Sequence, residues 1–118
     1  MASDITAFAP LYTATGPNSG QTGTLVASVT LAATGTAQAV TLPSGQGSNM
    51  LLISNQGTTW AYVNFGIAGA VTAATAAASL PVAPGLQRVF NIATEVTGAS
   101  CLLASGTGSV TFTRGIGL

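Results

Sequence analysis

The chain has 118 residues, enough for one domain with a real but modest core. Only Asp4, Arg88, Glu95 and Arg114 are charged, so charged residues are 3% of a chain that is 47% hydrophobic and has no net charge. Two arginines and no lysine exclude a basic patch for nucleic acid or a polybasic membrane anchor; the absence of histidine and lysine removes most nucleophilic and acid–base chemistry; and an apolar-rich, charge-poor chain is the reverse of a disordered one.

Residues 1–23 differ from the rest. MASDITAFAP has neither a basic n-region nor an apolar h-region, so no signal peptide is expected. Small and polar residues dominate, Phe8, Leu11 and Tyr12 stand as isolated large groups, and Gly16-Pro17-Asn18-Ser19-Gly20 is a loop signal. Two readings fit: an arm that docks its spaced apolar groups on a neighbour, or a frayed terminus. We take 1–23 as an extended N-terminal arm and 24–118 as the folded domain.

From Thr24 onward the apolar period is two. Leu25, Ala27, Val29 and Leu31 share one face of a strand over 24–32, with Ser28 and Thr30 on the other. Gly35 breaks it. A second strand over 37–42 turns Val40 and Leu42 inward, and Pro43 to Gly47 is a turn. Met50-Leu51-Leu52-Ile53 is a continuous apolar run, as in a strand covered on both faces. Asn55-Gln56-Gly57 turns the chain into a strand over 59–65, where Ala61, Val63 and Phe65 alternate with Trp60, Tyr62 and Asn64.

The stretch AVTAATAAASLPVAPG, residues 70–85, is the most ambiguous. It is too short and too polar to span a bilayer. Alanine favours a short helix, but no large apolar stripe or charged face supports one. A crossing loop entering a strand at Leu80 is the expectation, with Pro81 and Pro84 confining that strand to an edge. Strands over 86–92, 99–104 and 108–114 follow; in the last, Val110 and Phe112 face opposite to Thr111 and Thr113. Seven to eight short strands, punctuated by Gly and Pro, predict an all-β fold with a single antiparallel β-sandwich.

Little chemistry can be built from these residues. Cys101 lies in an apolar run and reads as a buried small hydrophobe with no intrachain disulfide partner. One cysteine without histidine makes no zinc site, and Asp4 and Glu95 are a poor start for calcium. Gly45-Gln46-Gly47 and Gly106-Thr107-Gly108 lack the rest of a phosphate loop and read as turns. No enzymatic activity, cofactor, metal or small-molecule substrate is expected. Arg88 and Glu95 could pair with each other, pair across a subunit boundary, or remain solvated. Arg114 shares the face of Val110 and Phe112, where it could close one end of the core.

The features that ask for a partner are physical. Trp60 and Tyr62 either form an outward contact surface or belong to a strand buried on both faces. The chain has no lysine to guard sheet edges, so a symmetric oligomer that covers them is expected.

MLLISNQGTTWAYVNFG, then LPVAPGLQRVFNI, then ASCLLASGTGSVTFTRG, span Met50 to Gly115. Their order is a strand ending in Asn-x-Gly, an aromatic-bearing strand ending in Phe-Gly, a Pro-x-x-Pro-Gly entry, a Val-Phe strand, and a Gly-Thr-Gly hairpin before a final strand. This pattern, over somewhat more than half the chain, resembles the small β-sandwich decoration or cement proteins of tailed-bacteriophage heads. The resemblance implies a jelly-roll-like sandwich, a homotrimer, and the major capsid protein as partner on the outer surface of the virion after synthesis in the host cytoplasm. It also places residues 70–85 in a loop at one end of the sandwich. Phe8, Leu11, Tyr12, Trp60, Tyr62, Arg88 and Glu95 are the candidate interface residues. A carbohydrate-binding or host-attachment module with a Trp60/Tyr62 platform, or another fibre-type virion protein, are the alternatives. The Thr-x-Thr pairs at 13, 22, 34 and 111 are too irregular for an ice-binding ladder.

Overall fold

The computed structural model describes residues 8–10, 28–43 and 49–117. Among the described residues there are nine strands: β1 Phe8–Pro10, β2 Ser28–Ala33, β3 Gln38–Thr41, β4 Met50–Asn55, β5 Ala61–Gly66, β6 Leu80–Val82, β7 Gln87–Asn91, β8 Gly98–Leu103 and β9 Gly108–Gly117. No helix occurs among the described residues. The alanines of 70–79 therefore do not express their propensity, since nothing around them supplies an apolar stripe or charge pairs to stabilise a short helix.

All strand pairs are antiparallel. The larger sheet runs β1-β9-β4-β7, with β2 also on β9, and the smaller runs β3-β8-β5-β6. From β2 onward successive strands alternate between the sheets, except for the β5–β6 hairpin. That order is a jelly roll, two sheets closed over one core. The eight strands from β2 to β9 lie within two residues of the sequence-based boundaries except at the start of β2 and the end of β9.

Period-two patterning explains why these sheets face each other. Ala33, Leu51, Ile53, Val110 and Phe112 from the larger sheet meet Ala61, Val63, Val82, Ala99, Cys101 and Leu103 from the smaller, and Leu42 joins them. Val29, Leu31, Val40, Phe65 and Phe90 pack around that centre. On the opposite face of the larger sheet, Ser28 and Thr30 meet Thr113 and Thr111 of β9, hydroxyl to hydroxyl, at 2.7 and 3.0 Å. Leu25 and Ala27, and all of the proposed arm except β1, lie outside the described residues.

The β6–β7 connection shows the local rule. Gly85 adopts φ 75°, and the Leu86 amide donates to the Ala83 carbonyl at 3.3 Å. Pro84 then Gly85 are the residues such a turn requires at its two central positions.

Residues 67–79 correct the sequence reading. They do not simply cap one end of the sandwich; they fold back over the outer face of the smaller sheet. The Ala74 amide donates to Ser100 Oγ at 3.0 Å, and Asn64 Nδ2 donates to the Thr72 carbonyl at 3.2 Å. Both partners sit at outward positions of β8 and β5. Gly98 permits this approach, because a Cβ there would lie 2.8 Å from Ala68 Cα. Ser100 is buried beneath the strap, and Ala74 of the strap is buried against it. Ala74 is the alanine of the strap that packs against the sheet, whereas Ala73, Ala76, Ala77 and Ala78 are exposed.

Candidate interaction surface

The strap covers only part of the smaller sheet. β5 turns Ala61 and Val63 into the core, so Tyr62 faces outward, and Trp60, just before the strand, continues that outward series. The register sets Tyr62 between Leu102 of β8 and Pro81 of β6. These residues form an uncharged patch, with Trp60 47% exposed, Pro81 exposed, and Tyr62 and Leu102 half-buried. Of the two readings of β5, burial on both faces does not hold, because Trp60 is exposed and Tyr62 only half-buried.

The patch stands on a fixed base. Asn55, 1% exposed at the end of β4, donates from Nδ2 to the carbonyls of Thr59 at 2.9 Å and Val82 at 3.0 Å. Its Oδ1 accepts from the Gly57 amide at 3.0 Å. One amide side chain thus holds the β4–β5 turn and ties it to β6. From the other side, Thr59 Oγ1 donates to the Ser105 carbonyl at 2.9 Å, and the Ala104 amide donates to the Trp60 carbonyl at 2.8 Å. Gly108 lets the β8–β9 turn reach this loop, since a Cβ there would sit 2.8 Å from Gly57 Cα. Trp60 is presented by backbone that is hydrogen-bonded on both sides.

The opposite end of the sandwich is closed by Arg114, which is fully buried. Its guanidinium donates to the carbonyls of Pro43, Ala93, Thr94 and Val96. Burial lowers its pKa from the ordinary value. The expectation that Arg114 closes the core's end holds, and its reason is now visible: it gathers the β3–β4 and β7–β8 connections. Cys101 is buried as expected, and desolvation pushes its thiol up to about 11.

The remaining candidates do not converge on the aromatic patch. Arg88 lies on β7 in the larger sheet, opposite Ile53, and stacks over the Phe90 ring at 5.0 Å from its centroid. There it shields the open edge of the core, as an inward charge on an edge strand does. Glu95 is exposed on the β7–β8 turn and forms no ion pair with Arg88. Phe8 is opposite Gly117 in the backbone register. Leu11 and Tyr12 lie outside the described residues.

Sequence reasoning missed two members of the patch. Leu102 was hidden in the run Cys101-Leu102-Leu103, although strict alternation puts it opposite to its neighbours. Pro81 was read only as an edge marker. Neither can be joined to Tyr62 without the strand register.

Among the described residues no cluster of His, Cys, Asp or Glu is suited to hold a metal ion. What the patch can do is bind by shape, dispersion and removal of apolar surface from water. Comparison with known proteins returns no matching family model, no matching curated protein and no matching solved structure.

Proposed function

We propose that this chain is a structural virion protein, a decoration or cement protein that binds the outside of a mature icosahedral head as a homotrimer and stabilises it. The observation that carries the reading is the uncharged aromatic patch of Trp60, Tyr62, Pro81 and Leu102, held on a hydrogen-bonded jelly-roll face. Fold alone does not assign function, because jelly rolls serve many roles. The near absence of charge adds support. With Arg114 buried, Arg88 is the exposed arginine, so a nucleic-acid partner has almost nothing to hold. A neutral protein shell suits this surface better.

The mechanism is mass action. Trp and Tyr in well-packed interfaces commonly contribute about 2 kcal/mol or more each. Threefold valency multiplies a modest single contact. Preferential binding to the mature shell then stabilises that shell relative to its ruptured or unexpanded states.

The direct experiment is co-sedimentation with shells assembled from the major capsid protein encoded with this chain. Binding is expected at low and high salt alike, because few charges are involved. Trp60→Ala with Tyr62→Ala is expected to abolish it while the fold persists. No binding of the unaltered protein to mature shells would sink the proposal. A carbohydrate platform is the second reading, favoured by the same exposed Trp60. Glycan-array signal that Trp60→Ala removes, with no shell binding, would select it instead.

A further inference from the structure

The larger sheet contains an unusual edge. β1 and β2 both pair with β9, on the same side and in the same direction. Pro10 stands opposite Gly115, and Ser28 stands opposite Thr113. Only the position opposite Arg114 separates them along β9. One residue would complete a continuous strand there, yet the chain places residues 11–27 between the two pieces.

We infer that β1 is an exchanged strand: residues 8–10 of one copy occupy the β9 edge of a second copy in the oligomer. This rests on the proposed oligomer but needs no capsid.

Three observations carry it. First, β1 has three residues, and β9 is the one strand with which it makes extensive contact. A piece that short adds little stability as a strand of its own molecule, so the same pairing made in another copy sacrifices little. Second, the connection is long. Seventeen residues can span roughly 55 Å when extended, which exceeds the breadth of a small domain. A one-residue link would hold β1 in place at no greater loop-closure cost, since that cost rises, though slowly, with length. The extra length is unnecessary within one molecule and useful between two. Third, the pairing segments, Phe8-Ala9-Pro10 and Gly115-Ile116-Gly117, contain no charge. Nothing electrostatic distinguishes a molecule's own strand from its neighbour's. Exchange of identical elements closes a symmetric ring without requiring a new surface.

The test uses the register. Ala9 lies directly opposite Ile116, so Ala9→Cys with Ile116→Cys, in a Cys101→Ala background, places two thiols across one strand pair. Directly opposed antiparallel positions have Cα atoms about 4.5–5.5 Å apart, within the range a disulfide spans. The full chain is oxidised, its mass is measured by light scattering, and the covalent species are resolved on a non-reducing denaturing gel.

An oligomer whose disulfide-linked chains run as covalent multimers, collapsing to single chains with reductant, is the expected result. An oligomer with the bond formed only within single chains overturns the exchange and leaves the proposed trimer standing. A monomer with the intrachain bond overturns both. Excision of residues 12–27, leaving Leu11 opposite Arg114, provides a second arm. It is expected to confine β1 to its own molecule and to abolish covalent multimers; multimers that persist in that variant overturn the inference.

Discussion

The two ends of the sandwich solve one problem with opposite chemistry. At each end, loops bring main-chain carbonyls into a buried space, and a carbonyl there needs a donor. At the Trp60 end the donor is Asn55, a neutral amide whose Oδ1 also accepts from Gly57. At the other end it is Arg114, which donates to carbonyls of Pro43, Ala93, Thr94 and Val96. An unpartnered amide loses about 2–7 kcal/mol on leaving water. A guanidinium loses much more, and its compensation comes from several carbonyl dipoles together. The neutral solution gives the exposed Trp60 a fixed backbone base. The charged one spans a wider opening, because its planar fork reaches two connections that Asn cannot bridge.

The comparison is broken most severely at Arg114. Arg114→Met retains much of the volume but strands at least four carbonyls. It is expected to lower stability by about 3–4 kcal/mol, read as a fall in the urea midpoint. Arg114→Lys is expected to recover only a fraction, since a point charge with three donors cannot reproduce the fork. Asn55→Ala comes next, with a loss of about 2–3 kcal/mol. Its signature is local: amide exchange should accelerate at Gly57 and in the Thr59–Trp60 turn, with the carbonyl-rich loops at the Arg114 end less affected. A finding that Asn55→Ala costs more than Arg114→Met would reverse the ranking of the two ends.

A matched pair of glycines sharpens the contrast. Gly108 approaches Gly57 at the Asn55 end, and Gly98 approaches Ala68 beneath the strap. An added Cβ meets backbone at 2.8 Å in each case. Both alanine variants are expected to lose about 1–3 kcal/mol by overpacking. Gly98→Ala should also loosen the strap, which limited proteolysis within residues 67–79 would register. The smallest effect lies between the ends. The Cys101 thiol is raised from 9.0 to about 11 in the folded chain. The unfolded thiol therefore loses its proton first, and the folded state's advantage is lost as pH rises from about 9 through about 11. Cys101→Ala is expected to flatten that part of the stability–pH curve.

Legibility in the sequence followed the physics of each region. Strands were readable because period-two patterning survives wherever one face meets the core, as in Ala61-x-Val63 and Val110-x-Phe112. Arg114 was readable for the same reason, since its parity with Phe112 pointed it inward. Asn55 was not, because an Asn before Gln-Gly signals a turn whether or not its side chain is buried. The strap was illegible as well. Ala and Thr without periodicity do not say which surface they cover, and only Asn64 and Ser100 reveal it. Arg88 and Glu95 looked like neighbours because they are close in sequence. The chain leaves β7 between them, so one guards an edge and the other tips a turn. The patch itself was half legible: Trp60 and Tyr62 came from alternation, whereas Pro81 and Leu102 arrive through register.

The position of β9 has a kinetic consequence. Its hydroxyl contacts with β2 join residues 85 and 81 positions apart in the chain. The larger sheet cannot form until those distant segments meet, which places this fold among slow-folding, high-contact-order topologies. During that search apolar strands are exposed on a chain with almost no charge to keep its copies apart. Collision between unfinished chains then competes with folding, and refolding yield falls as concentration rises. The same long-range closure that makes the sheet cooperative sets the concentration at which the chain can be refolded.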